Sequence, residues 1–484
     1  MHDIAKKALN AAMRNGVTYA DVRLLEERHR TLTTKNGRVG HVGSQESLGV
    51  GIRVLIDGCW GFASTDDCGK DGIEAAGLLA VEIARASALA KTERVELADE
   101  PPVQAQWVSP CAQDPFAVSV ETQLALLLSC DEELRREKGV TLAETSMVMT
   151  RSRQIFLNSE GSDIDQTRTT TGAGFTALSF GEHEIQKRSY PNSFGGQYQL
   201  KGWELVEELQ LQENAARVAS EAVALHSAAQ CPERTGNLIL DSSQLGLQIH
   251  ESIGHPIELD RVLGSEANYA GMSFLTLDKL HHLRYGSDLV NAVCDARLDH
   301  GPGLGTFAFD DEGVAAQTVD IIRNGQFRGY MSSRETAAAI GQTRSNGTMR
   351  ASGWNRIPLI RMTNVSLEPG EQSLEEVFGG VDEAVYMETN KSWSIDDKRY
   401  NFQFGCEIGW EIRNGKRGRM LKNPTYSGIS TEFWNSCQAI ADRRHWVLWG
   451  VPNCGKGQPE QVMGTGHGAS PSRFGGIKIG GGHK

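Results

Sequence analysis

A chain of 484 residues is long enough for two or three domains and at least one sizeable core. Its 61 Asp and Glu against 49 Lys and Arg leave a formal charge of −12, which repels phosphate backbones and argues against direct nucleic-acid binding. Nine cysteines without a Cys-x-x-Cys pair suit a reducing compartment, no apolar run is long enough to cross a bilayer, and the first residues lack a signal-peptide core; a soluble cytoplasmic protein with no membrane partner is expected.

Helical periodicity opens the chain over residues 4–13. Strands 30–34 and 38–42 meet across Asn36-Gly37, and strands 48–56 and 59–64 across Asp57-Gly58, both strong hairpin signals. Helices are expected over 71–90 and 118–137, with a proline-bearing connector at 97–115 between them. Strands follow at 140–151, 154–158 and 163–171, then a long helix at 203–225. Cys231-Pro232-Glu233-Arg234 marks the expected boundary between an N-terminal α/β domain, 1–230, and a β-rich domain, 231–484. Within the second, 314–323 meets 327–331 across Asn324-Gly325, 402–413 meets 419–422 beyond Asn414-Gly415, and 357–365 and 385–389 add β signals. The fold class is therefore α+β, with a large antiparallel sheet or partial barrel in the second half; 475–482 reads as a glycine-rich tail. Lys416-Arg417-Gly418-Arg419 reads as a solvated turn and His281-His282 as surface.

Chemistry concentrates at His250-Glu251-Ser252-Ile253-Gly254-His255. Imidazoles bind Zn²⁺ well, and a carboxylate beside a bound water can take its proton, so the segment suggests a metal-activated hydrolase. Zinc peptidases of the His-Glu-x-x-His type place their ligands at i and i+4; here the second histidine is at i+5. On an ideal α-helix i+5 lies about 140° round from i, whereas a π-type turn of roughly 4.4 residues returns it to within about 50°. Shared ligation by His250 and His255 thus demands a distorted helix, and Gly254 is the residue best suited to odd backbone angles. A short buried strand at 236–241, an N-cap at Ser242-Ser243 and a stop near Pro256 frame that helix. Residues alone leave the third ligand open, with Glu258 and Glu266 as carboxylate candidates. His467 suits a structural role or a substrate contact, and Asp260 and Arg261 suit either a pair orienting a histidine or a local salt bridge.

The run from His250 to Gly264, with Val451-Pro452-Asn453-Cys454-Gly455-Lys456-Gly457-Gln458-Pro459 and Gly466-His467-Gly468 further on, resembles the TldD/PmbA family of metallopeptidases over essentially the whole chain. The resemblance implies a zinc peptidase acting on unfolded or short peptides, with His250, His255 and Cys454 as ligands, Glu251 as general base and no other cofactor. It also implies an N-terminal α/β domain, a β-rich metal domain, and pairing either with a TldE/PmbA-like paralogue or as a homodimer. A silent peptide-binding subunit and a hydrolase of non-peptide amides are the alternatives. A β-rich domain beside the metal suits peptide bound as an added strand.

Overall fold

The computed structural model describes residues 1–90 and 93–481. Asn36-Gly37 and Asp57-Gly58 both take left-handed dihedrals (φ 48° and 75°, 51° and 73°), as tight hairpins require. They join Val17–Lys35 to Arg38–Ile56 and Arg38–Ile56 to Cys59–Thr65. These strands are much longer than their hydrophobic stretches suggest, because continuous pairing carries polar residues along with apolar ones. The strands expected at 140–151 and 154–158 are one strand, Leu142–Asn158, and Asp163–Phe180 runs past 171. The 97–115 connector contributes Gln104–Val108, parallel to the start of Asp163–Phe180, and Ile185–Tyr190, unforeseen in the sequence, pairs with its end.

Alternation along Val17–Lys35 decides what covers this first sheet. Ala20, Val22 and Leu24 pack under the helices His2–Ala12 and Lys70–Leu89. Leu32 packs under Val120–Arg136 and Leu211–Ala224. The intervening Asp21 and Arg23 face the C-terminal half: Arg53 pairs with Asp21 at 2.7 Å and with Glu312 at 3.3 Å, and Arg23 lies 3.6 Å from Asp311. The helix expected at 203–225 is two, Glu204–Glu208 and Leu211–Ala224, broken at Gln210 (φ 47°).

Strands of the first sheet come from residues 17–199, and those of the two larger remaining sheets from 229–479. In one of these, Glu383–Ile395, Arg234–Leu240, Ser472–Ile479, Thr425–Ile429 and Asn401–Arg413 follow one another, and the last pairs back with the first to close a ring. The glycine-rich tract read as a tail is thus largely a central strand; Gly482 lies outside the described residues. The other sheet runs Gln326–Phe327, Thr318–Arg323, Ala292–Asp295, Asn364–Leu367, Gln461–Ala469 and Val447–Lys456. Among the described residues no helix is long and apolar enough to cross a membrane.

The helix Ser242–Ile249 lies between these two sheets, touching Glu383–Ile395 of one and Gln461–Ala469 of the other, and all eight of its residues are buried. Its N-cap is Asp241 and not the serines that follow: the carboxylate accepts from the backbone N–H groups of Ser243 and Gln244. Leu245, Ile249, Ile253 and Ile257 enter the largest core. A second, polar stripe is equally buried. Gln244 donates to the Tyr426 hydroxyl at 2.9 Å, Tyr426 donates to Gln248 at 3.0 Å, and the Trp434 indole donates to Ser252 Oγ at 2.9 Å. Trp434 also stacks edge-on with Phe433 and Phe474. Trp434→Ala therefore removes a large packed ring and its hydrogen bond to Ser252; it should destabilise the second half by about 3–5 kcal/mol, read as a lowered urea midpoint.

Candidate metal centre

The distorted turn that the i+5 spacing demands is present. Residues His250–Gly254 form a π-helical turn continuing Ser242–Ile249, and the backbone N–H of His255 donates to the carbonyl of His250, five residues back. Widening the turn interrupts the α-helical bonding, and side chains supply partners. Ser252 Oγ donates to the Gln248 carbonyl at 2.6 Å, and the Tyr285 hydroxyl donates to the Ser252 carbonyl. Pro256 then lies in a single 3-10 turn, His255–Ile257, where it ends the ladder. Gly254 is needed for a reason other than the expected one. Its backbone is ordinary (φ −60°, ψ −60°), but a Cβ there would lie 2.2 Å from Met362 Sδ.

With the turn widened, the His250 and His255 rings stand edge to face, centroids 4.8 Å apart. Cys454 meets them from Val447–Lys456, and His255 Nε2 lies 3.8 Å from its Sγ. One ligand atom from each of His250, His255 and Cys454 falls within a mutual 4.8 Å, and all three residues are buried. Despite its flanking proline and glycines, the segment around Cys454 is strand. A register shift between Val451 and Cys454, at Pro452-Asn453, aims the thiol inward.

The surrounding hydrogen bonds leave the same nitrogen open on each histidine. His255 Nδ1 lies 2.9 Å from Glu258 Oε2, so it carries the proton and Nε2 keeps its lone pair. On the other side, His467 Nδ1 lies 3.0 Å from the Val365 carbonyl, which can only accept. His467 Nε2 is thereby an acceptor, and His250 Nδ1, 2.8 Å away, donates to it. His250 Nε2 is left facing the cluster. Burial, followed by the charges or dipoles of neighbours, holds both imidazoles well below their usual basicity, in the neutral form that metal binding requires. Burial also pushes the Cys454 thiol up to about 11, with Arg361 opposing. Two neutral imidazoles and a thiol that needs a cation to ionise are a donor set suited to Zn²⁺.

The carboxylates considered as alternative ligands are engaged elsewhere. Glu258 orients His255 and lies 3.5 Å from Lys456 Nζ, while Glu266 pairs with Arg261 at 2.9 Å and accepts from the Gly457 N–H at 3.0 Å. Asp260 and Arg261 do not bind each other's side chains: Asp260 takes Lys456 at 2.6 Å, and Arg261 takes Glu266. Together with Glu266 they fasten the segment after His255 to the strand bearing Cys454. His281 and His282 are exposed.

Glu251 sits in the widened turn, buried, with Arg399 Nη1 2.6 Å from its Oε2. Burial raises its pKa; the Arg399 and Arg261 charges and a hydrogen bond from Trp393 oppose the rise. Arg399 and Trp393 escaped the sequence reading. They come from a hairpin about 150 residues downstream, and neither stands in a recognisable motif.

The chain matches three family models in order: PmbA/TldA metallopeptidase domain 1 at residues 20–84, the central domain at 113–226 and the C-terminal domain at 233–481. A metalloprotease of Methanocaldococcus jannaschii is 27% identical over 93% of this chain and 95% of its own length. Among solved structures, a candidate modulator of a DNA gyrase from Thermotoga maritima superposes with a TM-score of 0.77 at 18% identity, over 99% of this chain and 100% of that one. TldE from Thermococcus kodakarensis gives 0.70 at 14% identity, again over 99% and 100%. The fold, the order of the three matched domains and their coverage agree, and the chain belongs to the TldD/PmbA metallopeptidase family.

Proposed function

We propose that this protein is a zinc-dependent peptidase that hydrolyses unfolded or short peptides, with His250, His255 and Cys454 as metal ligands and Glu251 as general base. One observation carries the reading: three buried soft and borderline donors converge within 4.8 Å, with the Glu251 carboxylate in the same turn of helix. Zinc bound there would make hydroxide available near neutral pH and polarise the scissile carbonyl. Glu251 takes the proton of the attacking water and returns it to the leaving amine; its raised pKa brings it nearer the operating pH of a base that must also act as an acid. Glu258 and His467 keep the ligand imidazoles in their metal-binding tautomers.

The intact donor set supports a catalytic chain over a silent peptide-binding subunit, and the likeness to TldE supports pairing with a related chain of that kind. The net charge of −12 disfavours a DNA-binding role, whatever the description of the Thermotoga maritima protein. A non-peptide amide would use the same groups, so substrate class rests on the family and on direct assay.

Glu251→Gln should retain stoichiometric zinc and lose about 10²–10⁴-fold in turnover of an unfolded casein peptide, assayed with and without a co-encoded paralogue. Cys454→Ala should lose zinc by elemental analysis; full zinc in that variant would remove Cys454 from the site. A zinc-loaded wild type that cleaves no unfolded peptide under either condition would end the peptidase reading. His467→Ala leaves the His250 Nδ1 proton without its acceptor, and Glu258→Gln weakens the anchor on His255. Each should reduce zinc affinity by about 10–100-fold in chelator competition.

A further inference from the structure

We propose that Arg399 is a catalytic residue of this site, whose guanidinium receives the scissile carbonyl oxygen as that oxygen gains negative charge. The proposal rests on the peptidase reading and adds a residue to it.

Arg399 stands in the tip joining Glu383–Ile395 to Asn401–Arg413, at φ 64°, a left-handed value that an arginine keeps only where its surroundings impose it. They do so here. The Asp396 carboxylate accepts from the backbone N–H groups of Tyr400 and Asn401, at 2.7 and 3.1 Å. The Arg399 N–H donates to the Asp396 carbonyl, and Ser430 Oγ donates to the Arg399 carbonyl. The tip is also tied to the segment following the metal helix: Arg261 donates to the Asp397 carbonyl, and the Phe274 N–H to that of Lys398. The arm carrying the guanidinium is therefore anchored on both sides.

The guanidinium itself is underused. Among the described residues, one of its five N–H donors reaches Glu251 and Nε has no partner, and the side chain is 16% exposed, which leaves the remaining donors open to solvent or a ligand. Nearby Arg261 spends its donors on Glu266, Met272, Ala270 and Asp397. The Arg399 charge is also one of the influences holding His250 and His255 neutral, which puts it within electrostatic reach of both.

Charge flow during hydrolysis explains the arrangement. Water oxygen bonds to the carbonyl carbon while Glu251 takes the water's proton and becomes neutral. The carbonyl π pair moves onto oxygen, so the negative charge leaves Glu251 and appears on the substrate. Arg399 is paired with that charge before and after the step, with its position already set. On collapse the pair returns, the C–N bond breaks, and Glu251 protonates the amine nitrogen and regains Arg399.

The test uses the full-length, zinc-loaded protein and its Arg399→Ala, Arg399→Lys and Glu251→Gln variants. Arg399→Ala should keep its zinc, lose about 10²–10³-fold in kcat on the casein peptide with KM little changed, and recover in part with added guanidinium. Arg399→Lys should fall between it and wild type. By calorimetry, Arg399→Ala should bind a phosphinic peptide, an anionic tetrahedral mimic, more weakly by a similar factor. Unchanged kcat or unchanged phosphinate affinity would overturn the role. A raised kcat would also overturn it, showing that Arg399 only masks the base. Normal turnover in Arg399→Ala with an inactive Glu251→Gln removes Arg399 alone; normal turnover in Glu251→Gln removes the base assignment.

Discussion

One extra residue in a buried helix is the constraint on which the rest depends. The π turn at His250–Gly254 places His250 and His255 toward one point, and it exists at a cost in regular backbone bonding. In water such a turn would relax. Between two sheets it is held, because Ser252 and Tyr285 satisfy the disturbed carbonyls and the isoleucines at 249, 253 and 257 are locked into the core. Gly254 lets Met362 approach the turn, so even the glycine acts through packing and not through backbone freedom.

Around that turn the polar groups form two chains of command. One begins at a strand carbonyl, Val365, and passes through His467 to the tautomer of His250. The other runs from Lys456 and Asp260 to Glu258 and so to His255. Both use strands of the sheet that carries Asn364–Leu367, Gln461–Ala469 and Val447–Lys456, the last of which also bears Cys454. Buried charge of this density is costly unless it is paired; the pairs Lys456–Asp260 and Lys456–Glu258 also fasten helix to strand.

The opposite wall comes from the ring-shaped sheet. Its hairpin tip carries Arg399, and Trp393, on the strand leading into that tip, is 46% exposed and packs edge-on against Phe194 of the N-terminal half. Glu251 and the two histidines therefore share one helical segment, while the groups that hold Glu251 arrive from another layer.

Much of this was legible in the chain. Hairpin dipeptides located the long strands of the first half, and the i+5 histidines required a widened turn at the position where one is found. Local chemistry misled where tertiary contacts took over. Asp241 displaced two serines as the helix cap, Gln210 split a helix of continuous periodicity, and a glycine-rich tail became a central strand because neighbours on both sides supply its hydrogen bonds. Spacing left Glu258 and Glu266 open as third ligands, because it cannot show the histidine or arginine that each carboxylate meets in the fold. By itself the sequence determined the chemistry that can be done: which donors exist, and that the helix bearing two of them must deform. Only the tertiary structure decided which distant residues complete the site. Cys454 and His467 stand in readable motifs, but it is sheet pairing that carries them to the two histidines, and Arg399, which stands in none, arrives by hairpin geometry, a contact between residues far apart in the chain that leaves no local pattern to read.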